Sequence, residues 1–479
     1  MKRILDPVHG YIEIPDNYIR EIVDTEYFQR LRRIEQTSTR SIFPSARHDR
    51  FIHSLGVYHI GSLISRQLRK SLSDAGKDTN EIDILCNTYN IACLLHDCGH
   101  APFSHTFEKY FGTKKELSDQ LIEIMIDDKS FRADLTERIE DVNEHEYLSA
   151  ILVKKVFSEK INNLGGRVNL IVRMIVGCPY HNTKFSVENC LISLLNGGVI
   201  DADRVDYACR DVWASGYCTS AIDIRRLVYS INIKKDNDGK YQVCFHNSAM
   251  NEIENVLNVK DFQNKYVLNH HTVKYEQYLL DMAVGQMALH LDGTLKSPKE
   301  ESHDSDTLNQ ALKKLFDPKK LWETVVCDNY SFRNFSDDDL VFFMKQFAEN
   351  RYIKEWLSRS YTKFPVWKTK AEFSHLFPKI DDEKKIKDSF DKCKESIIKN
   401  IKCPDEDIIL CKANFKHRTR RDNMYILLGD EVVPFNEIYK VSDSEEPEFF
   451  FYAFVDKKFE NETKKEIIKC LQEAFNSIG

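Results

Sequence analysis

The sequence predicts a mainly α fold, with a helical core and one small β-hairpin in residues 1–295 and an α+β lobe in residues 306–479. Three observations predict this class. Apolar residues recur every three or four positions in most segments before residue 290, which is the period of an amphipathic helix. Alternating strand patterns are confined to residues 227–245 and to the C-terminal part. A polar stretch at 296–306 separates the two parts, and we expect the domain boundary there.

The helical segments follow one another through the first part of the chain. In residues 54–72 the apolar positions form one stripe of a helix, with His53 at its start. The segment 81–96 has the same period and ends before Gly99, which places His96 and Asp97 at the end of a buried helix. The same period predicts further helices over residues 16–36, 116–127, 144–157, 168–176, 186–195, 204–213 and 249–290.

The strand patterns lie later in the chain. The segments 227–233 and 241–245 flank an Asp-Gly turn and predict the hairpin. In the C-terminal lobe we expect helices over residues 306–316, 336–349, 381–400 and 462–477, and strands over 408–412, 424–428 and 449–455. A loop between two of these strands would expose a basic cluster, either as a solvated surface or as a contact for phosphate or another subunit. This cluster comprises Lys412, Lys416, His417, Arg418, Arg420 and Arg421.

Composition narrows the function classes. A net charge of −7 provides no global positive field for nucleic acid, so any polyanion would bind to a local patch. The chain has no run of 18 apolar residues and no apolar leader, so we expect no membrane span, no secretion signal and a cytoplasmic location. Thirteen cysteines without a Cys-x-x-Cys pair favour reduced thiols over disulfides or a thiolate zinc site.

The residues that suggest chemistry are two histidines and two aspartates. An adjacent His-Asp pair at a helix end can supply two ligands to one cation, and a His and an Asp from other helices would complete four. Such a set suits Mn, Fe, Ni, Zn or Mg and leaves positions for water or substrate. A His-Asp dipeptide is common by chance, so the surrounding blocks matter: RFIHSLGV at 50–57, HDCGHAPFSHTFE at 96–108, NEHEY at 143–147 and DADRVDYACRD at 201–211.

These blocks resemble the HD superfamily of metal-dependent phosphohydrolases and, within it, the deoxynucleoside triphosphate triphosphohydrolases. The segments LDPVHGYIEI, VDTEYFQRLRRIEQ and FPSARHDRFIHSLGV extend the similarity, which is strong over residues 2–290 and weak in the C-terminal lobe. The resemblance implies an HD-domain helical core, a divalent metal and a homo-oligomer, either a dimer or a tetramer. It also implies hydrolysis of dNTPs to deoxynucleoside and inorganic triphosphate.

The resemblance assigns roles position by position. It makes His53, His96, Asp97 and Asp203 the metal ligands. It places a polar shell beside the α-phosphate, in which His105 or His145 would protonate the departing 5′-oxygen; the shell comprises His100, His105, Glu108, His145 and Glu146. It assigns substrate binding to Gln36, Arg50, Arg204, Tyr207 and Asp211, with Arg204 where the family usually has Lys.

A nucleotide effector is also implied. In regulated family members a guanine nucleotide binds between subunits, and the matching residues are Asp24, Gln29 and Arg32, with Arg226 as a further nucleotide contact. The alternative is an exposed helix face of ordinary charges. The family's next basic pair is replaced by His246 and Ser248, and Thr272 and Lys274 stand where it has Tyr and His. Whether GTP or a dNTP is the effector therefore stays open.

Two other functions stay open at this point. The first is another phosphoester hydrolase on the same scaffold, such as a nucleotidase, a phosphodiesterase or a nuclease. The second is a catalytically silent module that binds nucleotide or nucleic acid, for which the basic cluster is the main support. The presence of His100, His105 and His145 favours chemistry over binding alone.

Overall fold

The computed structural model describes residues 1–197, 199–217, 221–297, 299–327, 330–376, 398, 404–415, 424–438, 448–459, 465, 468–469 and 472–473. The chain divides into two compact units. The first unit comprises residues 1–260, 313–340 and 418–441, and the second comprises residues 261–312, 341–417 and 442–479. The fold is mainly α with small sheets, as the sequence predicts.

Helices make up most of the described chain. In chain order they are α1 (Asp16–Tyr18), α2 (Glu26–Gln29), α3 (Arg50–Asp74), α4 (Thr79–Leu95), α5 (Lys114–Ile124), α6 (Phe131–Thr136), α7 (Glu144–Leu152), α8 (Ser158–Asn163), α9 (Val168–Ile175), α10 (Ser186–Leu195), α11 (Ala202–Ser215), α12 (Ile224–Tyr229), α13 (Met250–Phe262), α14 (His271–Leu291), α15 (Ser305–Leu315), α16 (Asp337–Gln346), α17 (Arg351–Ser358), α18 (Lys370–Leu376) and α19 (Phe435–Ile438).

The strands form small sheets. They are β1 (Lys2–Asp6), β2 (Gly10–Ile14), β3 (Ile231–Lys235), β4 (Tyr241–His246), β5 (Val325–Cys327), β6 (Tyr330–Phe332), β7 (Lys363–Pro365), β8 (Ile408–Phe415), β9 (Tyr425–Leu428), β10 (Glu431–Pro434) and β11 (Glu448–Asp456). In the first unit, β1 pairs with β2, β5 pairs with β6, and a four-stranded sheet has the order β10-β9-β4-β3. In the second unit, β7, β11 and β8 form a three-stranded antiparallel sheet.

Side-chain caps fix the starts of the helices that carry the site. The carboxylate of Asp49 accepts a hydrogen bond from the backbone at the start of α3, and Asp78 and Asp201 do the same for α4 and α11. At α7, Asn143 and Glu146 form a reciprocal capping box. Because these caps satisfy otherwise free N–H groups, each helix begins at a position that the sequence sets.

Helix α3 is the centre of the first unit, since it packs against both α4 and α11. It buries apolar residues such as Leu55 and Leu68 completely. Gly56 allows α11 to come close, because a Cβ at this position would lie only 1.9 Å from an oxygen of Asp206. The three helices that carry the predicted metal ligands are therefore in mutual contact through α3.

Some predicted bounds are wrong. The helix expected over 16–36 is broken into short pieces, because Thr25 is extended and its side chain caps a new helix. The segment from residue 227 starts in α12 rather than in a strand, because Asp223 caps that helix. The helix expected over 249–290 is two helices, since the His270 side chain caps α14. The β1–β2 hairpin was not predicted, although it alternates and buries Ile12 and Ile14.

Part of the C-terminal prediction lies outside the described residues. This applies to residues 381–400 apart from 398, to most of 462–477 and to the basic cluster beyond Lys412. Lys412 itself lies on strand β8, not in a loop, because residues 408–415 all pair with β11. None of the described helices combines the length and the apolar character that crossing a bilayer requires.

One close approach yields a test of this packing. A Cβ on Gly99, just after α4, would lie 2.3 Å from the backbone nitrogen of Ser149 and 2.4 Å from the carbonyl carbon of Leu148. Backbone atoms cannot rotate away, so we expect Gly99→Ala to lower the free energy of unfolding by about 1–3 kcal/mol. Chemical denaturation measures this change.

The matched control is Gly61→Ala. Its Cβ would meet the sulfur of Cys93 at 2.5 Å, which is the end of a side chain that can turn, so a smaller loss is expected. An unchanged unfolding midpoint for Gly99→Ala would contradict the close approach of this loop to α7.

Candidate metal centre and adjoining histidine cluster

The four predicted metal ligands converge from three helices. His53 lies on α3, His96 and Asp97 directly follow α4, and Asp203 lies in the first turn of α11. The Oδ1 atom of Asp203 is 2.9 Å from Nε2 of His53 and 3.6 Å from Nε2 of His96. Each of these Nε2 atoms is also 3.5 Å from a carboxylate oxygen of Asp97. One ligand atom each of His53, His96 and Asp203 therefore faces a common point, and the Asp97 carboxylate lies beside them.

The residues fit a divalent cation. His53 uses Nδ1 for a 2.7 Å bond with Asp206, and His96 uses Nδ1 for a 3.0 Å bond with the carbonyl of Cys93. The Nε2 atoms of both rings are buried and make no hydrogen bond to any described residue. Histidines that ligate metals are held in this way, with one ring nitrogen oriented and the other directed at the ion. The arrangement thus leaves two imidazole donors to be satisfied by a metal.

The electrostatics of the centre also favour a positive ion. Burial lowers the pKa of His53, but the carboxylates of Asp203 and Asp206 overcome it and raise that pKa to about 10. Burial raises the pKa of Asp203, yet His53 and His96 hold it well below its ordinary value. The carboxylates therefore stay ionised and attract a cation.

A buried ionic network behind His53 was not predicted from the sequence. Asp206, which holds His53, also contacts Nε2 of His9 at 2.5 Å and accepts hydrogen bonds of 2.8 and 2.9 Å from Arg210. Arg210 donates in turn to Asp6 at 2.8 Å. Asp206 and Arg210 follow Asp203 by three and seven residues on one helix, so their common face was a usable signal. The network orients His53 from behind.

A second cluster adjoins the metal centre. Glu108 lies at its middle, with one carboxylate oxygen 2.5 Å from Nδ1 of His105 and the other 2.9 Å from Nδ1 of His145. The ring of His100 stacks on that of His145 at 4.2 Å, and its Nδ1 is 3.7 Å from Glu108. The His105 side chain is 67% exposed, whereas the other three residues are buried. The cluster is thus open to solvent on the His105 side.

The protonation states in the cluster differ from ring to ring. Burial lowers the pKa of His145, but Glu108 overcomes this effect and raises it to about 9. Burial and the charge of Arg50 hold the pKa of His100 well below its ordinary value, so this ring is neutral. Burial raises the pKa of Glu108, yet His145 and His105 keep it well below its usual range. A carboxylate, an imidazolium and a neutral imidazole therefore stand side by side.

Arg50 joins the two clusters. Its guanidinium contacts Asp97 at 2.7 Å on one side and lies 3.5 Å from Nε2 of His105 on the other. It also donates to the hydroxyl of Ser104 at 3.0 Å and to the carbonyl of Gln36 at 3.3 Å. This cation is almost fully buried. Arg50 therefore brings positive charge to the point where the predicted metal ligands meet the histidines.

The loop that presents His105 has an unusual backbone. Phe103 and Ser104 have φ angles of 54° and 52°, in the left-handed region that non-glycine residues seldom adopt. The amide of Phe103 donates to Asp337 at 2.6 Å, and the other oxygen of Asp337 accepts from the amide of Glu35 at 2.9 Å. Strained residues persist where the surroundings hold them, and they cluster at functional sites. Asp337 is a distant anchor of this loop that sequence reasoning missed.

Two of the predicted substrate residues are linked by a histidine that was not predicted. The carboxylate of Asp211 pairs with Nε2 of His48 at 2.8 Å. The backbone N–H of Gln36 donates to the backbone carbonyl of His48 at 3.1 Å. Gln36 Oε1 and His48 Nδ1 are buried and have no hydrogen-bond partner among the described residues. Gln36 and Asp211 therefore both contact His48, and Gln36 Oε1 and His48 Nδ1 remain available for a ligand.

Arg204, Tyr207 and Glu146, the other predicted site residues, contact residues of the protein itself. Arg204 donates to the carbonyl of Val199, lies 3.6 Å from Asp201 and contacts Tyr207. Glu146 accepts from the amide of Asn143 at 2.7 Å and from the amide side chain of Asn196 at 3.0 Å. Of the two glutamates expected beside the imidazoles, Glu108 contacts them, whereas Glu146 caps α7.

Two of the three residues expected to recognise guanine, Gln29 and Arg32, contact each other. Gln29 donates to the carbonyl of Val23 at 2.8 Å and accepts from Arg32 at 2.8 Å, so its amide is already engaged. Arg32 also stacks 3.5 Å above the centre of the Phe51 ring. Asp24 is exposed. Arg226 donates through two nitrogens to the carbonyl of Ser248.

The His145–Glu108 pair predicts a pH-dependent stability. The contribution of this pair to the free energy of unfolding is fully present below the ordinary histidine pKa of about 6.5 and is lost as pH rises through about 9. Between these two pH values only the folded state keeps the proton on His145. We expect His145→Gln to lower the free energy of unfolding by roughly 1.5–3 kcal/mol at pH 6 and by less at pH 9.5. Urea denaturation of the metal-free protein measures both values.

The control for this test is His246→Gln, at an exposed histidine that bonds Ser248 rather than a carboxylate. A cost of His145→Gln that stays constant from pH 6 to pH 9.5 would show that the ion pair contributes nothing.

Comparisons with known proteins found a matching domain family and several similar proteins. Residues 50–175, which include three of the four predicted ligands and the whole histidine cluster, match the HD domain. The chain is 27% identical over 344 residues to the deoxynucleoside triphosphate triphosphohydrolase SAMHD1 homolog of Dictyostelium discoideum, covering 70% of this chain and 59% of that protein. It is 30% identical over 283 residues to the deoxynucleoside triphosphate triphosphohydrolase SAMHD1 of Gallus gallus, covering 56% of this chain and 43% of that protein.

Other similar proteins have no named activity. The uncharacterized protein YwfO of Bacillus subtilis is 31% identical over 257 residues, which cover 53% of this chain and 48% of YwfO. The chain thus spans about half the length of these curated relatives. A crystal structure of a hypothetical protein from Aquifex aeolicus shares the fold, with a TM-score of 0.57, 22% identity and coverage of 97% of this chain and 99% of that one.

Proposed function

We propose that this chain, an HD-domain protein related to the deoxynucleoside triphosphate triphosphohydrolases, hydrolyses dNTPs to deoxynucleosides and inorganic triphosphate. One observation supports the proposal: Arg50 contacts Asp97, beside three residues that could hold a metal ion, and reaches a cluster of three histidines and a glutamate. A triphosphate brings negative charge that an overall acidic chain must neutralise locally, and Arg50 supplies a fixed positive group at that point. The adjoining imidazoles supply proton donors that a mere binding module does not need.

The division of labour follows from the contacts. His53, His96, Asp97 and Asp203 would hold the divalent ion, which supplies a Lewis acid for the α-phosphate when bound. Arg50 would bind a phosphate oxygen. Arg204 would bind another once its hydrogen bond to the Val199 carbonyl and its contact with Asp201 are broken. His105 is the exposed imidazole of the cluster, and Glu108 holds its Nδ1, so His105 is placed to donate a proton to the 5′-oxygen as the P–O bond breaks. Gln36 and Asp211 would bind the 3′-hydroxyl, and Tyr207 would pack against the sugar.

The ligand set supports a hard or borderline metal. Two imidazoles and two carboxylates accept Mn, Fe, Ni, Zn or Mg, and we propose that one of these ions is the native cofactor. The described cysteines are free thiols and most of them are buried, which is the usual condition in a reducing compartment and supports a cytoplasmic location.

Regulation is a further part of the proposal. We propose that GTP or a dNTP binds where two subunits of a dimer or tetramer meet, close to Asp24, Gln29, Arg32 and Arg226. The exposure of Asp24 and the stacked guanidinium of Arg32 support a nucleotide contact there. The existing Gln29 bonds to Val23 and Arg32 would have to be exchanged for bonds to the base.

Two substitutions separate the ion from the proton donor. Asp203→Ala removes a ligand, so we expect loss of bound metal and of dNTP turnover in a folded protein. His105→Ala leaves all four ligands in place, so metal and dNTP binding should survive while kcat falls by about 100-fold or more. Metal analysis, circular dichroism and steady-state kinetics with the four dNTPs measure these effects.

A matched control is His181→Ala, at an exposed histidine remote in sequence from both clusters. Normal metal content and normal activity in Asp203→Ala would refute the metal centre. A His105→Ala defect confined to KM would show that His105 binds substrate but does not donate the proton.

The effector proposal has its own test. Arg32 would donate to the acceptor edge of guanine, and Asp24 would accept from its amino edge. Arg32→Ala and Asp24→Ala should therefore each weaken the binding of GTP far more than that of ATP, and reduce GTP-induced assembly. The neighbouring Arg33→Ala serves as the control, since Arg33 pairs with Asp338 instead. Analytical ultracentrifugation and dNTPase rates with and without GTP provide the measurement. If GTP changes neither the sedimenting mass nor the dNTPase rate in the wild type or in any variant, these residues form an ordinary charged surface.

A further inference from the structure

One carboxylate, that of Asp337, holds two separate segments of the site. One of its oxygens accepts from the backbone N–H of Phe103 at 2.6 Å, and the other accepts from the backbone N–H of Glu35 at 2.9 Å. Phe103 belongs to the loop that presents His105, and Glu35 directly precedes Gln36. We propose that Asp337 is a positioning residue that sets His105 and Gln36 relative to each other, and with them the two ends of the substrate's deoxyribose.

This inference rests on the proposed function. In that function His105 donates a proton to the 5′-oxygen, and Gln36 binds the 3′-hydroxyl of the same sugar. Turnover requires both contacts at once, and a misplacement of about 1 Å can cost about 100-fold in rate. A residue that fixes the proton donor and the hydroxyl-binding group relative to each other therefore acts on turnover without touching the substrate.

The loop needs an anchor because its backbone is strained. Phe103 and Ser104 both have left-handed φ angles, which non-glycine residues keep only where their surroundings hold them. Asp337 accepts from the amide of the first of these residues. The hydroxyl of the second donates to the carbonyl of Glu35 and accepts from Arg50 at 3.0 Å. The loop is thus tied to Glu35 twice, once through Asp337 and once through Ser104.

The segment that carries Asp337 is also linked to the start of the same loop. The guanidinium of Arg30 is almost fully buried and donates to the carbonyl of Phe335 at 2.6 Å. It donates as well to the carbonyl of Cys98 at 3.4 Å and to that of His100. These bonds keep the segment in place, so the Asp337 carboxylate is a fixed point between the loop and Glu35.

A carboxylate suits this position because two N–H donors need two acceptor oxygens. The isosteric side chain of Asn offers one acceptor oxygen and one NH₂ donor, so it can serve only one of the two segments. Burial raises the pKa of Asp337 to about 8, with a smaller contribution from the charge of Glu35. The two N–H groups and the charge of Arg30 act in the opposite direction. Above that pH both oxygens of Asp337 are acceptors.

The test compares Asp337→Asn with the wild type at pH 9, where the carboxylate is ionised. We expect bound metal to stay at the wild-type level, because the variant keeps all four proposed ligands, and kcat for a dNTP to fall by about 10- to 100-fold. The preference for a dNTP over its 2′,3′-dideoxy analogue should also shrink, since the 3′-hydroxyl and the 5′-oxygen no longer meet their partners together. A mere loss of folded protein would leave that preference unchanged.

Hydrogen exchange followed by mass spectrometry provides a readout that needs no activity. Peptides that contain residues 34–36 and 98–105 should both exchange faster in Asp337→Asn than in the wild type. The control is Asp338→Asn, at the neighbouring exposed carboxylate that pairs with Arg33 at 3.4 Å, and it should change none of these quantities. If Asp337→Asn does not fold, Ser104→Ala removes the other link between the loop and Glu35 and must reduce the same preference.

The outcomes separate this inference from the proposed function. An active wild type whose Asp337→Asn variant keeps both its kcat and its preference would overturn the role of Asp337 and leave the proposed function intact. Faster exchange in only one of the two segments would also overturn that role, since the carboxylate would then hold a single part of the site. A wild type that hydrolyses no dNTP would refute the proposed function, and with it the positioning role, whatever the exchange shows.

Discussion

The contact between Arg50 and Asp97 is the interaction on which the rest of the site depends. Both side chains are buried, and a buried charge is tolerated only when it is paired and hydrogen-bonded. Asp97 is a predicted metal ligand, and Arg50 extends beyond it to Ser104 and His105. Removing either partner would leave an unpaired charge between the metal centre and the histidine cluster, so both clusters depend on this pair.

Helix α3 explains why the pair is placed reliably. Arg50 is its first residue and His53 lies three residues later, so both side chains lie on neighbouring positions of one helical face. The Asp49 cap fixes where the helix begins, and Gly56 lets α11 approach with Asp203 and Asp206. Local sequence therefore sets the start of α3, and close packing sets the distance to the other ligands.

Much of the fold and the composition of the candidate site could be predicted from the sequence. The helical period located α3, α4 and α11, and the motif context selected the residues that the structure brings together. His9, His48 and Asp337 could not be found in this way, because their partners are more than 150 residues away along the chain. Periodicity also overlooks breaks caused by caps, as at Thr25 and His270. Long-range ion pairs and cap geometry appear only once the chain is folded.

In the proposed reaction, water attacks the α-phosphorus and the 5′-oxygen of the deoxynucleoside leaves. The most direct measurement is product analysis after turnover of one dNTP in ¹⁸O-labelled water with the metal-loaded protein. We expect unlabelled deoxynucleoside and intact inorganic triphosphate that carries one ¹⁸O atom. Release of deoxynucleoside monophosphate with pyrophosphate, or of diphosphate with phosphate, would contradict it.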